Sequence, residues 1–145
     1  MNVLFLQDSG LNESLALTEL SAYLKSRGHH TDLLLLNHET DPWAKAKRFD
    51  PGLIAVASAV LALRWSLKTA AQVRKELDSV PILLVGSLPT LSPEVIEDPS
   101  VDYICIGEAE VPVSRLCDSL DHKQDPRAVA GIWCKEDGRT RRNST

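Results

Sequence analysis

The chain has 145 residues, of which 43% are hydrophobic and 25% charged, and a formal net charge of −4. That length fits one domain with a real core, and the composition is that of a globular protein rather than a disordered or membrane-embedded one. The acidic balance argues against a nucleic-acid backbone as partner, since the one basic cluster, Arg139-Thr140-Arg141-Arg142, lies in the C-terminal tail.

In chain order, short apolar runs alternate with amphipathic ones, the signature of βαβ units and a parallel sheet. Residues 2–6 form a first strand. Leu11, Leu15, Leu20, Tyr23 and Leu24 then recur at helical spacing, with Asn12 as N-cap and Lys25, Arg27 and Gly28 at the close. Residues 31–36 make a second strand and 41–49 a short helix with Pro42 in its first turn. The run "GLIAVAS" at 52–58 is a third strand, apolar enough to be buried on both faces. The helix after it carries Leu63, Leu67, Ala70 and Leu77 on one side and Arg64, Lys68, Lys75 and Glu76 mostly on the other.

Residues 81–85 and 102–106 are strands four and five, with at most a short helix at 93–97 between them. Residues 110–120 form a last helix whose Val113, Leu116, Cys117 and Leu120 face inward. After "DHKQDPR" the text reads as a β-hairpin turning at Asp137-Gly138. The expected fold is α/β: a Rossmann-like (flavodoxin-like) doubly wound five-stranded parallel sheet with a C-terminal β-hairpin extension. Residues 1–121 form the domain, and 122–145 the hairpin and the start of a linker to something longer.

No apolar run approaches the roughly 18 residues of a membrane-spanning helix. The N-terminus lacks the charged region and cleavage site of a signal peptide, so the expected location is the cytoplasm. Cys105, Cys117 and Cys134 are odd in number and too far apart for a disulfide framework or a metal clip, and read as small buried hydrophobes. His29, His30, His38 and His122 are expected at the surface.

In such sheets ligands bind beyond the carboxyl ends of the strands, where the strand order reverses. The strand ends here are Asp8-Ser9-Gly10, Ser58-Ala59-Val60, Gly86-Ser87-Leu88-Pro89-Thr90 and Gly107-Glu108. Any one of them reads as a turn. Four together, all with small residues, let something bulky approach the backbone. Familiar ligands fail in turn. "QDSGLNES" has one glycine where a dinucleotide fingerprint needs three, and no Gly-Lys-Ser/Thr phosphate loop exists. Asp8 and Glu13 would repel a flavin phosphate. The acidic cluster, strand-three Asp and strand-five Lys of a response regulator are missing.

The order Asp8, Ser58-x-Val60, Gly86-Ser87 resembles the cobalamin-binding fold of methionine synthase and B12-dependent mutases. That family carries Asp-x-His-x-x-Gly, Ser-x-Leu and Gly-Gly at these places. Gly10 stands at the position of the cobalt-ligating His, Glu13 at the last Gly of the first motif and Ser87 at the second Gly of the third. A closer resemblance spans nearly the whole chain. "VGSLPTLSPE", "VDYICIGEAE" and "AGIWCKEDGR" look like the N-terminal cobalamin-binding domain of B12-dependent radical S-adenosylmethionine proteins, many of which also lack that His.

The resemblance implies cobalamin bound base-off and without a protein His ligand, its dimethylbenzimidazole tail in a slot at the strand ends. It implies a site of Asp8, Ser9, Gly10, Leu11, Asn12 and Leu15 after strand one, and Ser58, Ala59, Val60, Leu61 and Trp65 after strand three. Strand four supplies Gly86, Ser87, Leu88, Pro89 and Thr90, and strand five Ile106, Gly107, Glu108 and Glu110. Ser58 would donate its hydroxyl to the base, and Ser87 and Thr90 would meet ribose or phosphate. Glu108 and Glu110 would accept from corrin amides or ribose hydroxyls, or simply start the last helix. "LALRW" at 61–65 would cover the lower face of cobalt, although Trp65 reads first as a helix-packing residue. No protein ligand to the metal is expected.

The three-cysteine motif of a radical domain is absent. The iron–sulfur cluster and S-adenosylmethionine therefore belong to a missing domain, in cis or in trans, and this chain is not expected to be catalytic alone. The parent protein is expected to be a B12-dependent radical methyltransferase. Two other readings stay open from the residues: a small standalone α/β enzyme using Asp8, Glu13, Glu108 and Glu110, and a ligand-free regulatory or interaction domain.

Overall fold

A computed structural model describes residues 1–8 and 15–145. Five strands run parallel: β1 (Asn2–Gln7), β2 (His30–Leu35), β3 (Leu53–Ala57), β4 (Ile82–Val85) and β5 (Tyr103–Cys105). Two more, β6 (Ile132–Glu136) and β7 (Arg139–Arg142), continue the same sheet antiparallel, in the order β2-β1-β3-β4-β5-β6-β7. The sheet thus has seven strands where five were expected, because the hairpin pairs with β5 (Ile104 opposite Trp133) instead of standing apart. Its turn holds Asp137 at φ 48° and Gly138 at φ 74°, the left-handed pair that suits a two-residue hairpin.

The helices are α1 (Leu15–Ser26), α2 (Pro42–Phe49), α3 (Leu63–Glu76), α4 (Ser87–Leu91) and α5 (Glu110–Asp121). Alternation along the strands sends side chains to two cores. Val3, Phe5, Leu53, Ala55, Leu83, Val85 and Cys105 pack with α1 and α5, while Leu4, Leu6, Ile54, Val56, Ile82, Leu84 and Ile104 pack with α2, α3 and α4. Local signals explain the element ends. Asp41 caps α2 by accepting from the Ala44 amide at 3.0 Å, one residue before Pro42. Gly28, at φ 88°, closes α1 while the His29 amide returns to the Leu24 carbonyl.

The inward face of α3 departs from the expected one. Ser66, Thr69, Ala70 and Val73 are buried, whereas Leu63 is exposed and Leu67 half-buried. Small residues let this helix lie close on β3 and β4, so leucine count misjudged its orientation. The Asn12 cap and the 9–14 segment lie outside the described residues. No helix among the described residues is long and apolar enough to cross a membrane.

Candidate functional site

The strand order reverses between β1 and β3, and the chain leaves both strands to opposite layers. Above this point a cleft of about 810 Å³ opens along the carboxyl ends of β1, β3, β4 and β5. Its floor is Gln7, Ala57, Ser58, Val85, Gly86 and Gly107; Leu17 and Leu20 of α1 form one wall, and Ala59, Ala62, Ser87, Thr90 and Leu91 the other. Among the described residues, Asp8, Glu108 and Glu110 are the charged ones lining it, and no Lys, Arg or His does. A mostly apolar, acid-edged cleft without a cation is a poor place for a pyrophosphate and a good one for a large amide-bearing ligand.

Two glycines shape the floor differently. Gly86 sits at φ 115°, and a Cβ there would lie 2.7 Å from the Ser58 carbonyl oxygen, so only glycine fits between the β3 and β4 tips. Gly107, at φ 80°, faces open space. Between them the tips are laced by hydrogen bonds. The Ser58 amide donates to the Val85 carbonyl at 2.8 Å, and the Leu88 amide to the Ser58 carbonyl at 3.0 Å. The Val60 amide donates to Ser87 Oγ at 3.3 Å. Thr90 Oγ1 donates to the Gly86 carbonyl at 3.1 Å and accepts from the Gly107 amide at 3.0 Å. Ser58 Oγ, buried, donates to the Val56 carbonyl at 3.1 Å.

Asp8, Ser58, Ala59, Gly86, Ser87, Thr90, Gly107, Glu108 and Glu110 are therefore brought together as cleft lining. Leu15, Val60 and Leu61 are exposed around it, Leu61 completely. Leu88 and Pro89 are buried in α4, with Leu88 beneath the cleft floor in the α3-side core, where Ile106 and Trp65 also pack. Trp65 is thus a helix-packing residue, and of "LALRW" only Ala62 lines the cleft. Ser9, Gly10, Leu11 and Asn12 lie outside the described residues. Sequence reading missed Ala16, Leu17, Leu20, Leu91 and Ala109 as lining. The helical spacing that included Leu20 and Leu24 marked an inward face but neither named Leu17 nor showed that this face also walls a cleft.

His29 is not a surface residue. It is buried at the start of β2, at the end of the sheet opposite the cleft. Its Nδ1 lies 3.1 Å from the Met1 ammonium and its Nε2 3.3 Å from Asp118 Oδ1, the latter without hydrogen-bond alignment. Burial first, then the neighbouring ammonium, pushes its pKa down against the pull of Asp118. The three cysteines are free and buried. Burial pushes the thiols of Cys105 and Cys117 up to about 12 and that of Cys134 up as well, so all three are inert.

This geometry agrees with the family assignment. Residues 2–117 match the family described as the B12 binding domain, and the chain belongs to it. The cleft fits the cofactor: a floor that admits no Cβ at Gly86, open space at Gly107 and apolar walls.

Among particular relatives, the chain is 28% identical over 98 residues to a protein of Pyrococcus horikoshii described as an uncharacterized methyltransferase, covering 66% of this chain and 21% of that one. Its fold matches the cobalamin-dependent S-adenosylmethionine radical enzyme OxsB with aqua-cobalamin bound, with a TM-score of 0.84 and 18% identity over 99% of this chain and 22% of that one. It likewise matches the radical S-adenosylmethionine methyltransferase TsrM from Kitasatospora setae, with a TM-score of 0.83 and 17% identity over 99% of this chain and 30% of that one. The chain therefore spans less than a third of each of these relatives.

Proposed function

We propose that this chain is the cobalamin-carrying module of a B12-dependent radical S-adenosylmethionine protein, plausibly a methyltransferase. It holds the cofactor base-off, with no protein imidazole on cobalt and the nucleotide tail in the slot between the β3, β4 and β5 tips. The observation that carries the reading is the cleft at the switch point, glycine-floored at Gly86 and Gly107 and, among the described residues, lined by no histidine. The first-strand motif agrees, with Gly10 where a ligating His would stand.

Cobalamin, when bound, supplies methyl or electron transfer at its cobalt. The chain's own residues bind and orient it. Gly86 and Gly107 leave the backbone bare where the tail would lie, and Ser58 Oγ, which donates to the Val56 carbonyl, would be the hydroxyl available to the benzimidazole. Glu108 and Glu110 accept from amide or hydroxyl donors at the rim. Leu61, fully exposed on the 3₁₀ turn Val60–Ala62, supplies apolar cover for the lower face. Residues 1–121 carry the cofactor, and 122–145 lead to a catalytic domain that brings the iron–sulfur cluster and S-adenosylmethionine.

A standalone enzyme is disfavoured. Among the described residues, no His, Lys or Arg of the cleft lining stands beside the Ser58, Ser87 or Thr90 hydroxyl to activate it. The test is to mix the chain with hydroxocobalamin and separate it by gel filtration. A coloured protein peak at equimolar cofactor is expected; a colourless one refutes the proposal.

A further inference from the structure

Beyond Leu84 and Ile104 the β4–β5 ladder ends, and the two strands diverge toward Gly86 and Gly107. Among the described residues, the recorded hydrogen-bonded link across that gap is one side chain. Thr90 reaches back within α4 to the Gly86 carbonyl and at the same time holds the Gly107 amide. A hydroxyl has one donor hydrogen and acceptor lone pairs, so this single oxygen does both jobs. The neighbouring gap, between the β3 and β4 tips, is spanned differently, by two backbone bonds of Ser58 as well as by Ser87 Oγ. One side of the floor is thus fixed by backbone and the other rests on a threonine.

Thr90 is exposed at the cleft wall rather than buried in either core. Packing therefore does not account for it. The Gly107 turn, at φ 80°, has little else to fix its distance from β4: the Ile106 amide is held by Gly131 on the far side, and a Cβ at Gly107 would touch nothing. Cys105 Sγ ties the Glu108 carbonyl back to β5 at 3.7 Å, so the turn is anchored to its own strand, and Thr90 is the side chain that ties it to the β4 tip at Gly86.

We propose that Thr90 is a positioning residue that sets the width of the slot between Gly86 and Gly107, and so selects corrinoids that carry a nucleotide tail over those that do not. This inference rests on the cobalamin reading above and assigns to Thr90 a role in shaping the slot rather than in contacting the tail. Its one donor hydrogen and one of its two lone pairs are already engaged by the chain.

The test compares hydroxocobalamin with cobinamide, which has the same ring and no nucleotide, by spectroscopic titration of the full 145-residue chain. The wild-type chain prefers hydroxocobalamin. Thr90→Val, which keeps the shape and removes the hydroxyl, weakens hydroxocobalamin roughly tenfold, as loss of two hydrogen bonds with modest net value predicts. It leaves cobinamide unchanged, and Thr90→Ser restores the wild-type preference. Undiminished hydroxocobalamin binding by T90V, or an equal loss for both corrinoids, overturns the inference.

Amide exchange on the wild-type chain without cofactor gives a check that needs no variant. The Gly107 amide is expected to exchange slowly for a turn residue, and exchange at the rate of a free amide overturns the clasp. A wild-type chain that binds neither corrinoid overturns the cobalamin reading itself. One that binds both equally overturns the tail slot while leaving cobalamin binding standing.

Discussion

At their carboxyl ends the strands give way to Ser58, Gly86 and Gly107, and among the described residues the cleft they floor is lined by no cation. At the amino ends the same sheet is held by charge. Arg74 Nη2 meets Asp102 Oδ2 at 2.5 Å and also donates to the Ser100 carbonyl, Nη1 donates to the Asp78 carbonyl, and Asp102 accepts from the Ile82 amide at 2.8 Å and so pins the start of β4. Lys135 donates to the Asp98 carbonyl close by. A cavity of about 560 Å³ lies among these groups, but its Arg74, Arg127 and Lys135 are already partnered within the chain. One end spends its polar groups on holding the fold. The other keeps its backbone bare and bridges its strand tips with hydroxyls, the arrangement expected where a ligand must come close.

This contrast can be broken most sharply at Gly86. Gly86→Val sets a Cβ against the Ser58 carbonyl at a left-handed φ. It should reduce hydroxocobalamin affinity by at least about a hundredfold, as a displaced slot wall costs several hydrogen bonds and contacts at once. Binding within a factor of three of wild type would remove the slot from the account. The opposite end should respond the other way. Asp102→Ala leaves the Ile82 amide without its partner and strips the Arg74 guanidinium of its carboxylate, though not of its carbonyl acceptors, and should lower unfolding stability by about 2 kcal/mol, read from the denaturant midpoint. Corrinoid affinity of the folded chain should not change; a parallel loss of affinity would show that the two ends are not separable.

A smaller effect lies at His29. Its pKa is lowered in the folded chain, so below the ordinary value of 6.5 the unfolded chain binds the proton more readily. The stability associated with neutral His29 is complete above 6.5 and is lost as pH falls below it, with a slope of at most about 1.4 kcal/mol per pH unit. His29→Gln should flatten that part of the profile while leaving cofactor affinity at pH 7.5 intact. An unchanged profile contradicts the assignment. Least of all should the thiols matter. Cys105, Cys117 and Cys134 should stay unlabelled by a thiol reagent at pH 8 in the folded chain and react on denaturation. Rapid labelling of any one would place it at the surface.

How much of this was legible beforehand depended on what each signal measures. Continuous apolar runs such as "GLIAVAS" identify doubly buried strands, and β1 to β5 fall where those runs lie. The small residues after them pointed to the strand tips that the fold assembles into one cleft. Hydrophobicity failed where burial is set by closeness rather than by side-chain size: Ser66 and Thr69 turn inward on α3 because small groups let the helix approach, and Leu63 turns out. Trp65 carried both readings and resolved to packing. His29 was misjudged because its polarity suggested exposure, while its burial depends on Met1 and Asp118, which are distant in sequence. The Thr90 bridge was out of reach for the same reason. Its partners belong to the tips of two strands, and only the folded sheet sets them one hydroxyl apart.

The central claim is that the cleft holds cobalamin with no protein imidazole on the metal. Electron paramagnetic resonance of the chain loaded with cob(II)alamin tests it most directly. Cobalt hyperfine lines without nitrogen superhyperfine splitting are expected if, as proposed, neither the cofactor's base nor a histidine reaches the metal. Triplet splitting from a coordinated nitrogen would contradict it.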